Sequence, residues 1–361
     1  MKGLVGQMAK LRFALIGCGR IASKHYEALS AIGDAELVAV CDVKQERAKR
    51  VGEKLGLPYY LNYDEMLIQE QVDVVNILTP SGLHAEQAVD IANKYKKHIV
   101  CEKPMALTLR DADDMIEACR QNGVKLFVVK QNRYNLPILK LREMIEEQRF
   151  GKLVLGTIRV RWSRDQGYYN RDSWRGTWAM DGGVFANQAS HHIDLLEWMM
   201  GEAQDVSSMT AAQLVDIEAE DTGIATIRFA NGALGIVEAT TATRPKDIEG
   251  AISVLGEKGT VEIGGFAMNE IRVWQFADKR PEDQEVMTKY KENPPNVYGF
   301  GHRHCLEHVV DCLINDKQAL VDGLEGRKSL RLITALYESA ETGKTVNLKN
   351  MSGQCRLGQK I

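Results

Sequence analysis

The stretch "LIGCGRIA" spaces Gly17, Gly19 and Ala22 as G-x-G-x-x-A. It follows the apolar run "LRFALIG" and opens a helical stretch, and an acid, Asp42, ends the next apolar run, "AELVAVCD". A tight turn at Gly17, with the backbone around Gly19, Arg20 and Ile21 bared at a helix N-terminus, suits a pyrophosphate. Asp42 can accept hydrogen bonds from both hydroxyls of an adenosine ribose and would repel a 2′-phosphate. The chemistry implied is binding of a dinucleotide, NAD in preference to NADP, with Lys44 and Arg47 close enough in sequence to temper that preference. Other residues fall at the ends of later apolar runs: Thr79 and Pro80 in "NILTPSGLH", with His84 a turn beyond, Glu102 and Lys103 in "CEKP", and Gln131 after "KLFVV". Ligands of wound sheets bind outside the carboxyl ends of the strands. Lys103 is therefore expected at the rim of the core, where a nicotinamide ring would lie, and not inside it.

These residues need a scaffold of alternating strands and helices. Strand-like runs at 11–17, 35–42, 58–61, 72–79, 98–103 and 125–132 alternate with helical stretches such as "QERAKRVGEKLG" and "SGLHAEQAVDIANKY". Continuous Val/Ile/Leu runs fit strands buried on both faces, so residues 1–132 read as a doubly wound α/β domain of Rossmann type. From 133 to 361 the pattern changes. A helix at 137–149 and a strand at 152–162 precede a polar, aromatic stretch at 163–182 and the helix "VFANQASHHIDLLEWMMG". Successive strands follow, with "ANGA" and "GEKG" as hairpin turns, and helices at 299–315 and 323–342 close the chain. This half reads as a second α/β domain with an open, mostly antiparallel sheet.

"GCGRIA", "TPSGLH", "CEKP" and "GGVFANQASHHID" together resemble the Gfo/Idh/MocA oxidoreductase family, over almost the whole chain. The resemblance implies an NAD-binding domain followed by a substrate and oligomerisation domain, with a homotetramer expected. The family pattern G-x-x-x-D-x-G-x-H-x-x-D falls here on Gly183, Asn187, Ala189, His191 and Asp194. His191 thus matches the family's catalytic His and Lys103 its catalytic Lys. The departure is Asn187, which cannot take a proton, where many members have Asp. With "KQNRYN", "WRGTW" and "YGFGH", the same stretch looks like the subgroup that oxidises UDP-N-acetylglucosaminuronic acid at C3 for bacterial surface polysaccharides. That likeness also implies recycling of the reduced cofactor by a keto acid such as 2-oxoglutarate.

Oxidising a secondary alcohol removes a hydride from carbon and a proton from oxygen. His191 is assigned as the base and Lys103 as the cation at the developing alkoxide. The exchanged roles stay open, and Asn187 orients either the sugar or Lys103. His192 lies about 100° away around the helix and is assigned to packing. A nucleotide sugar acid is strongly anionic, and residues 130–175 hold eleven Lys/Arg against five Asp/Glu. Arg133, Arg159, Arg161 and Arg175, with Tyr168 and Trp174 for stacking, join Lys103, Asn187 and His191 as candidate substrate contacts.

The net charge of −3 gives no nucleic-acid footprint, and no apolar run approaches the ~18 residues of a membrane helix. The N-terminus lacks a secretory look. Seven cysteines without a C-x-x-C motif read as reduced thiols of a cytoplasmic protein. His302, His304, Cys305, His308 and Cys312 share a helical stretch, but three or four convergent ligands are not evident, and no metal is expected. Three other readings compete on the same fold: a cyclitol or free-sugar dehydrogenase, an NAD-dependent glycoside hydrolase, and a non-catalytic regulator. The basic, aromatic segment speaks against the first, and the joint presence of Lys103 and His191 against the last.

Overall fold

The computed structural model describes residues 10–291 and 299–360. The lead-in at 1–9 and Tyr298 of "YGFGH" lie outside them. Six strands build the first sheet: β1 (Leu11–Ile16), β2 (Ala35–Cys41), β3 (Tyr59–Tyr60), β4 (Val74–Ile77), β5 (His98–Cys101) and β6 (Leu126–Val128). Their order is β3-β2-β1-β4-β5-β6, with every pairing parallel. The order reverses between β1 and β4, which opens a crevice at their carboxyl ends. Helices α1 (Ala22–Ser30), α2 (Gln45–Leu55), α3 (Tyr63–Gln69), α4 (His84–Tyr95) and α5 (Leu109–Gln121) connect the strands. Local chemistry sets their ends. Thr108 caps α5 by accepting from the Asp111 N–H at 3.1 Å, and Gly56 closes α2 in the left-handed conformation.

The second sheet has eight strands: β7 (Leu153–Arg161), β8 (Ala203–Ala211), β9 (Thr222–Phe229), β10 (Leu234–Thr240), β11 (Glu249–Gly256), β12 (Gly259–Gly264), β13 (Glu270–Phe276) and β14 (Val346–Asn347). They run in the order β13-β12-β11-β7-β10-β9-β8-β14. Only the β7–β10 pairing is parallel, as expected for a mostly antiparallel sheet. β8 and β14 escape the sequence reading, because "AQDVSSMTA" lacks a period-2 apolar pattern and β14 is two residues long. The remaining helices are α6 (Leu136–Glu146), α7 (Gln166–Tyr169), α8 (Ser190–Met200), α9 (Asp283–Lys289), α10 (Gly301–Ile314) and α11 (Gly323–Thr342).

One face of the second sheet carries α8. Gly156 admits it, since a Cβ there would come within 2.8 Å of the Met200 and Leu196 side chains. The other face is open and presents Arg159 and Arg161 of β7, Glu238 of β10 and Glu249 of β11. α10 and α11 return to the first sheet. Leu306, Val309, Val310 and Cys312 of α10 share a core with Phe13, Leu15, Val40 and Phe127. The Val128 N–H donates to Val321 O at 3.1 Å, and Gly326 lets α11 lie directly on Val128. The junction expected at 132/133 falls within a 3-10 turn, Gln131–Tyr134, and the chain crosses back over it twice. All seven cysteines are free and buried, and among the described residues no helix is long and apolar enough to cross a membrane.

Candidate active site

At the β1–α1 turn Gly17 has φ +103°, and a Cβ there would sit 2.7 Å from Leu78 O. A Cβ on Gly19 would meet nothing within 4 Å. The first glycine is needed by the protein's own packing, and the second leaves a cradle into which a phosphate can approach the backbone. Asp42 closes the turn. Its carboxylate accepts from the Cys18 N–H and the Lys44 N–H, both at 2.8 Å. Arg47 is not left for a 2′-phosphate, because its guanidinium donates to Asp172 at 2.9 Å. These features fit a dinucleotide with an unphosphorylated ribose. Gly17→Ala is expected to weaken NADH binding by roughly five- to 150-fold through the strained turn, on the order of 1–3 kcal/mol, as read by fluorescence titration.

The next strand ends are tied to each other. His84 places its two ring nitrogens 2.8 Å from Thr79 O and Pro104 O. Burial lowers its pKa, and a neutral imidazole donates to only one of these carbonyls at a time. His84 thus acts between the two loops, and its nitrogens are turned to protein carbonyls. Thr79 donates its hydroxyl to Gln87 Oε1 at 2.6 Å. Glu102 is similarly occupied. Its carboxylate lies 2.9 Å from His25 Nε2 and 3.3 Å from His302 Nε2, while Asn76 donates to His25 Nδ1 at 2.9 Å. The pattern requires His25 neutral with its proton on Nε2. Burial alone would raise the Glu102 pKa, but the two histidines hold it well below the usual range. His25, Glu102 and His302 have ligand atoms within 4.8 Å of one another. Their mutual hydrogen bonds account for the arrangement without an ion. The helical His/Cys group of α10 does not converge: His302 faces Glu102, whereas His308 faces Cys312 and the Leu320 N–H.

Lys103 follows Glu102 and crosses to the second half of the chain. Its Nζ donates to Asn187 O at 2.8 Å and to Asn187 Oδ1 at 3.3 Å. The single helix expected over 184–201 is interrupted there. Val184–Gln188 forms a π-helical turn, in which the Ala189 N–H donates to Val184 O at 2.7 Å. π turns cluster at functional sites because they re-aim a backbone group. Here Tyr337 OH accepts from the Gly183 and Ala186 N–H groups and itself donates to Glu220, whose carboxylate also accepts from the Phe185 N–H.

His191 opens α8 one turn later and is buried, 6% exposed. Neither of its ring nitrogens has a hydrogen-bond partner among the described residues, a state it shares with His192. Burial, with the Lys103 and Lys130 charges, drives its pKa well below the ordinary value, so it is neutral. Burial also pushes the Lys103 pKa down to about 8. His192 turns away to the sheet, where Gly250 makes room for its ring and Trp162 meets it edge-on at 5.6 Å.

Three arginines expected at the substrate are paired with acids of the protein itself. Arg133 is 2% exposed and makes a bidentate pair with Asp194, at 2.7 and 2.9 Å, plus a bond to Glu325 at 3.0 Å. Three of its five N–H groups are thus engaged, tying α8 to α11. Arg159 and Arg161 do share a face, as their spacing demands, but it is the open face of the sheet opposite α8. There they pair with Glu249, Glu262 and Glu238. The 163–182 segment does approach the cleft. The Gly82 N–H donates to Met180 O at 3.1 Å, and Asp172 receives both Arg47 and Arg175. Arg175 stacks over Tyr168 and Trp174, at 4.8 and 4.4 Å. Gln131 is buried in the turn against which α10 begins.

Sequence reasoning missed Asp181, buried beside Asn187 and hydrogen-bonded to its side-chain amide. The available signal was a neutral amide at a position where the family pattern carries an acid, with a carboxylate six residues earlier.

Comparison with known proteins agrees with this architecture. Residues 11–130 match the family model described as an oxidoreductase family, NAD-binding Rossmann fold. Residues 142–348 match the one described as an oxidoreductase family, C-terminal alpha/beta domain. The chain is 30% identical to myo-inositol 2-dehydrogenase of Thermotoga maritima, over 95% of this chain and all of that one. It is 43% identical to the WlbA dehydrogenase of Bordetella pertussis, solved with NADH and UDP-GlcNAcA, with a TM-score of 0.91 over 94% of this chain and 98% of that one. The WlbA dehydrogenase of Chromobacterium violaceum, with the same two ligands, is 40% identical, with a TM-score of 0.89 over 96% and 99%. With its glycine turn, its Lys103–Asn187 contact and its open mixed sheet, this chain belongs to the Gfo/Idh/MocA oxidoreductase family.

Proposed function

We propose that the protein oxidises the C3 hydroxyl of a UDP-N-acetylhexosaminuronic acid to the 3-keto sugar with NAD, as a step toward surface polysaccharide. The observation that carries the reading is the meeting of Lys103 Nζ with Asn187 near a buried His191 whose ring nitrogens have no partner among the described residues. Similarity over nearly the full chain to two dehydrogenases solved with NADH and UDP-GlcNAcA supports the substrate class.

Gly17, Gly19, Arg20, Ile21 and Asp42 would hold the dinucleotide at the β1 and β2 ends. When bound, NAD supplies the hydride acceptor. His191, kept neutral by its surroundings, takes the proton of the sugar hydroxyl. Lys103, mostly charged below its lowered pKa, stabilises the oxygen as charge develops. Asn187 fixes the ammonium. Arg175, with Tyr168 and Trp174, offers a cation and aromatic faces to the nucleotide end.

The test incubates the protein with UDP-GlcNAcA, with and without NAD and 2-oxoglutarate, and weighs the nucleotide sugar by mass spectrometry. Loss of two hydrogens is expected, with 2-oxoglutarate reduced if it re-oxidises the cofactor in place. An unchanged sugar under all conditions overturns the reading, and a parallel incubation with myo-inositol then tests a cyclitol substrate. The pH dependence assigns the base. With His191 as base and Lys103 as cation, turnover falls as pH rises through about 8. With the roles exchanged, it rises there.

A homo-oligomer formed through the open sheet face belongs to the same proposal. Ile224, Leu234 and Ile236 are exposed on that face, beside Arg159, Arg161 and Arg272 matched by Glu238, Glu249 and Glu262. Apolar side chains around a charge-balanced centre suit a self-complementary contact. Light scattering at a monomer mass would oppose it.

A further inference from the structure

Asn187 has one end that accepts and one that donates. Lys103 Nζ can only donate, so the Asn187 carbonyl oxygen must face it, as the 3.3 Å contact has it. The amide nitrogen is thereby aimed the other way, at Asp181 Oδ1. Asp181 is 1% exposed, and its second oxygen accepts from the Gly176 N–H at 2.9 Å. Both oxygens are held, and the orientation of the bridge follows from the donors available. The chain Gly176 N–H, Asp181 carboxylate, Asn187 amide, Lys103 ammonium runs from the 163–182 segment through the π turn to the end of β5.

We propose that Asp181 is a positioning residue that supplies the counter-charge of Lys103 through the Asn187 amide, keeping the ammonium charged and aimed at the reacting hydroxyl. The inference rests on the reading of Lys103 as the cation at that hydroxyl. Glu102 is the stronger of the two acids that favour the Lys103 charge, but its carboxylate is shared with His25 and His302 and with the backbone N–H of Lys103 at 3.1 Å, so Asp181 is the acid connected to the ammonium through a side chain that also touches it. Lys130 and Arg175 oppose the Lys103 charge, and the rings of His84, His191 and His192 feel it. Asp181 in turn faces Lys103 and Arg175. Burial raises its pKa to about 6, so it is ionised at neutral pH. A neutral Asn at 187 thus leaves the negative charge one residue further from the ammonium, where it sustains the cation without offering Lys103 a carboxylate to neutralise it directly.

Three variants test this: Asp181→Asn, Asn187→Asp, and the exchange that combines both. Each is read in two ways: the pH profile of kcat/KM on UDP-GlcNAcA, and the pH dependence of Lys103 acylation in the NADH-loaded protein, followed by peptide mass spectrometry. The second needs no turnover. Removing the negative charge lowers the Lys103 pKa, so in Asp181→Asn both curves should move down by about one pH unit. Asn187→Asp should move them up, and the exchange should bring them back toward the parent. If Asp181→Asn does not fold, Asp181→Ser removes the same charge with a smaller polar side chain and should give the same downward displacement. Native-like folding with both curves unmoved overturns the proposal, as does a loss of stability alone. If the acylation curve moves but UDP-GlcNAcA is untouched, the substrate reading fails and the counter-charge stands. If UDP-GlcNAcA is oxidised and neither curve moves, the reverse holds.

Discussion

Replacing Lys103 by Ala should lower the rate of sugar oxidation by about 10³-fold, the loss expected when a preorganised donor at a developing oxyanion is removed. NADH should still bind, because the glycine turn and Asp42 lie at the other end of the crevice. The side chain crosses from the end of β5 to the π turn and makes both of its hydrogen bonds to Asn187. Its loss therefore also removes a donor from the Asn187 carbonyl, which still accepts from Ser190 Oγ at 3.1 Å. Single-turnover oxidation of UDP-GlcNAcA, paired with NADH titration, separates the two expectations. A rate within tenfold of the parent would remove Lys103 from the reaction, and NADH affinity lost in proportion to rate would make it a binding residue only.

Arg133→Ala should cost about 3–5 kcal/mol of stability, because it strands a buried carboxylate. Asp194 is 1% exposed, and its other cation, Lys130, stands 3.7 Å away. The melting temperature should fall by roughly 4–7 °C. Part of the loss should appear as reduced turnover, since Asp194 sits on the helix that carries His191. Removing Asp194 as well should return some of the stability, because the second substitution eliminates the stranded charge. Thermal unfolding of the two single variants and the double variant measures this coupling. Equal, additive losses would show that the pair does no more than fill space.

That ion pair marks the division between what the sequence discloses and what it withholds. The glycine turn, Asp42 and Lys103 are legible because each is local: a strand end, a turn and a helix start decide their placement within a few residues. His191 is legible only through the family register, since a histidine on a buried helix has no distinguishing spacing. Arg133 reads as a free cation because its partner is 61 residues away in the chain. Arg159 and Arg161 show how far periodicity reaches. Spacing of two puts them on one face, but which face meets α8 depends on glycines at 156 and 250 and on the bulk of α8 itself. Asp181 is only six residues from its partner, and its one signal in the sequence is indirect: a neutral amide at 187 where the family pattern carries an acid.

The return of α10 to the first sheet sets the order in which the chain can complete itself during synthesis. Lys125, just before β6, donates to Cys312 O, 187 residues further along, and the core around Phe13 and Leu15 is finished only by Leu306, Val309 and Val310. At ~5–20 residues per second the ribosome adds that intervening length in roughly 10–40 s. Throughout that interval the nascent N-terminal half holds a sheet with part of one apolar face uncovered. Folding is thus least protected late in translation, and a chain cut short before residue 301 would meet the cell's chaperones with an unfinished surface.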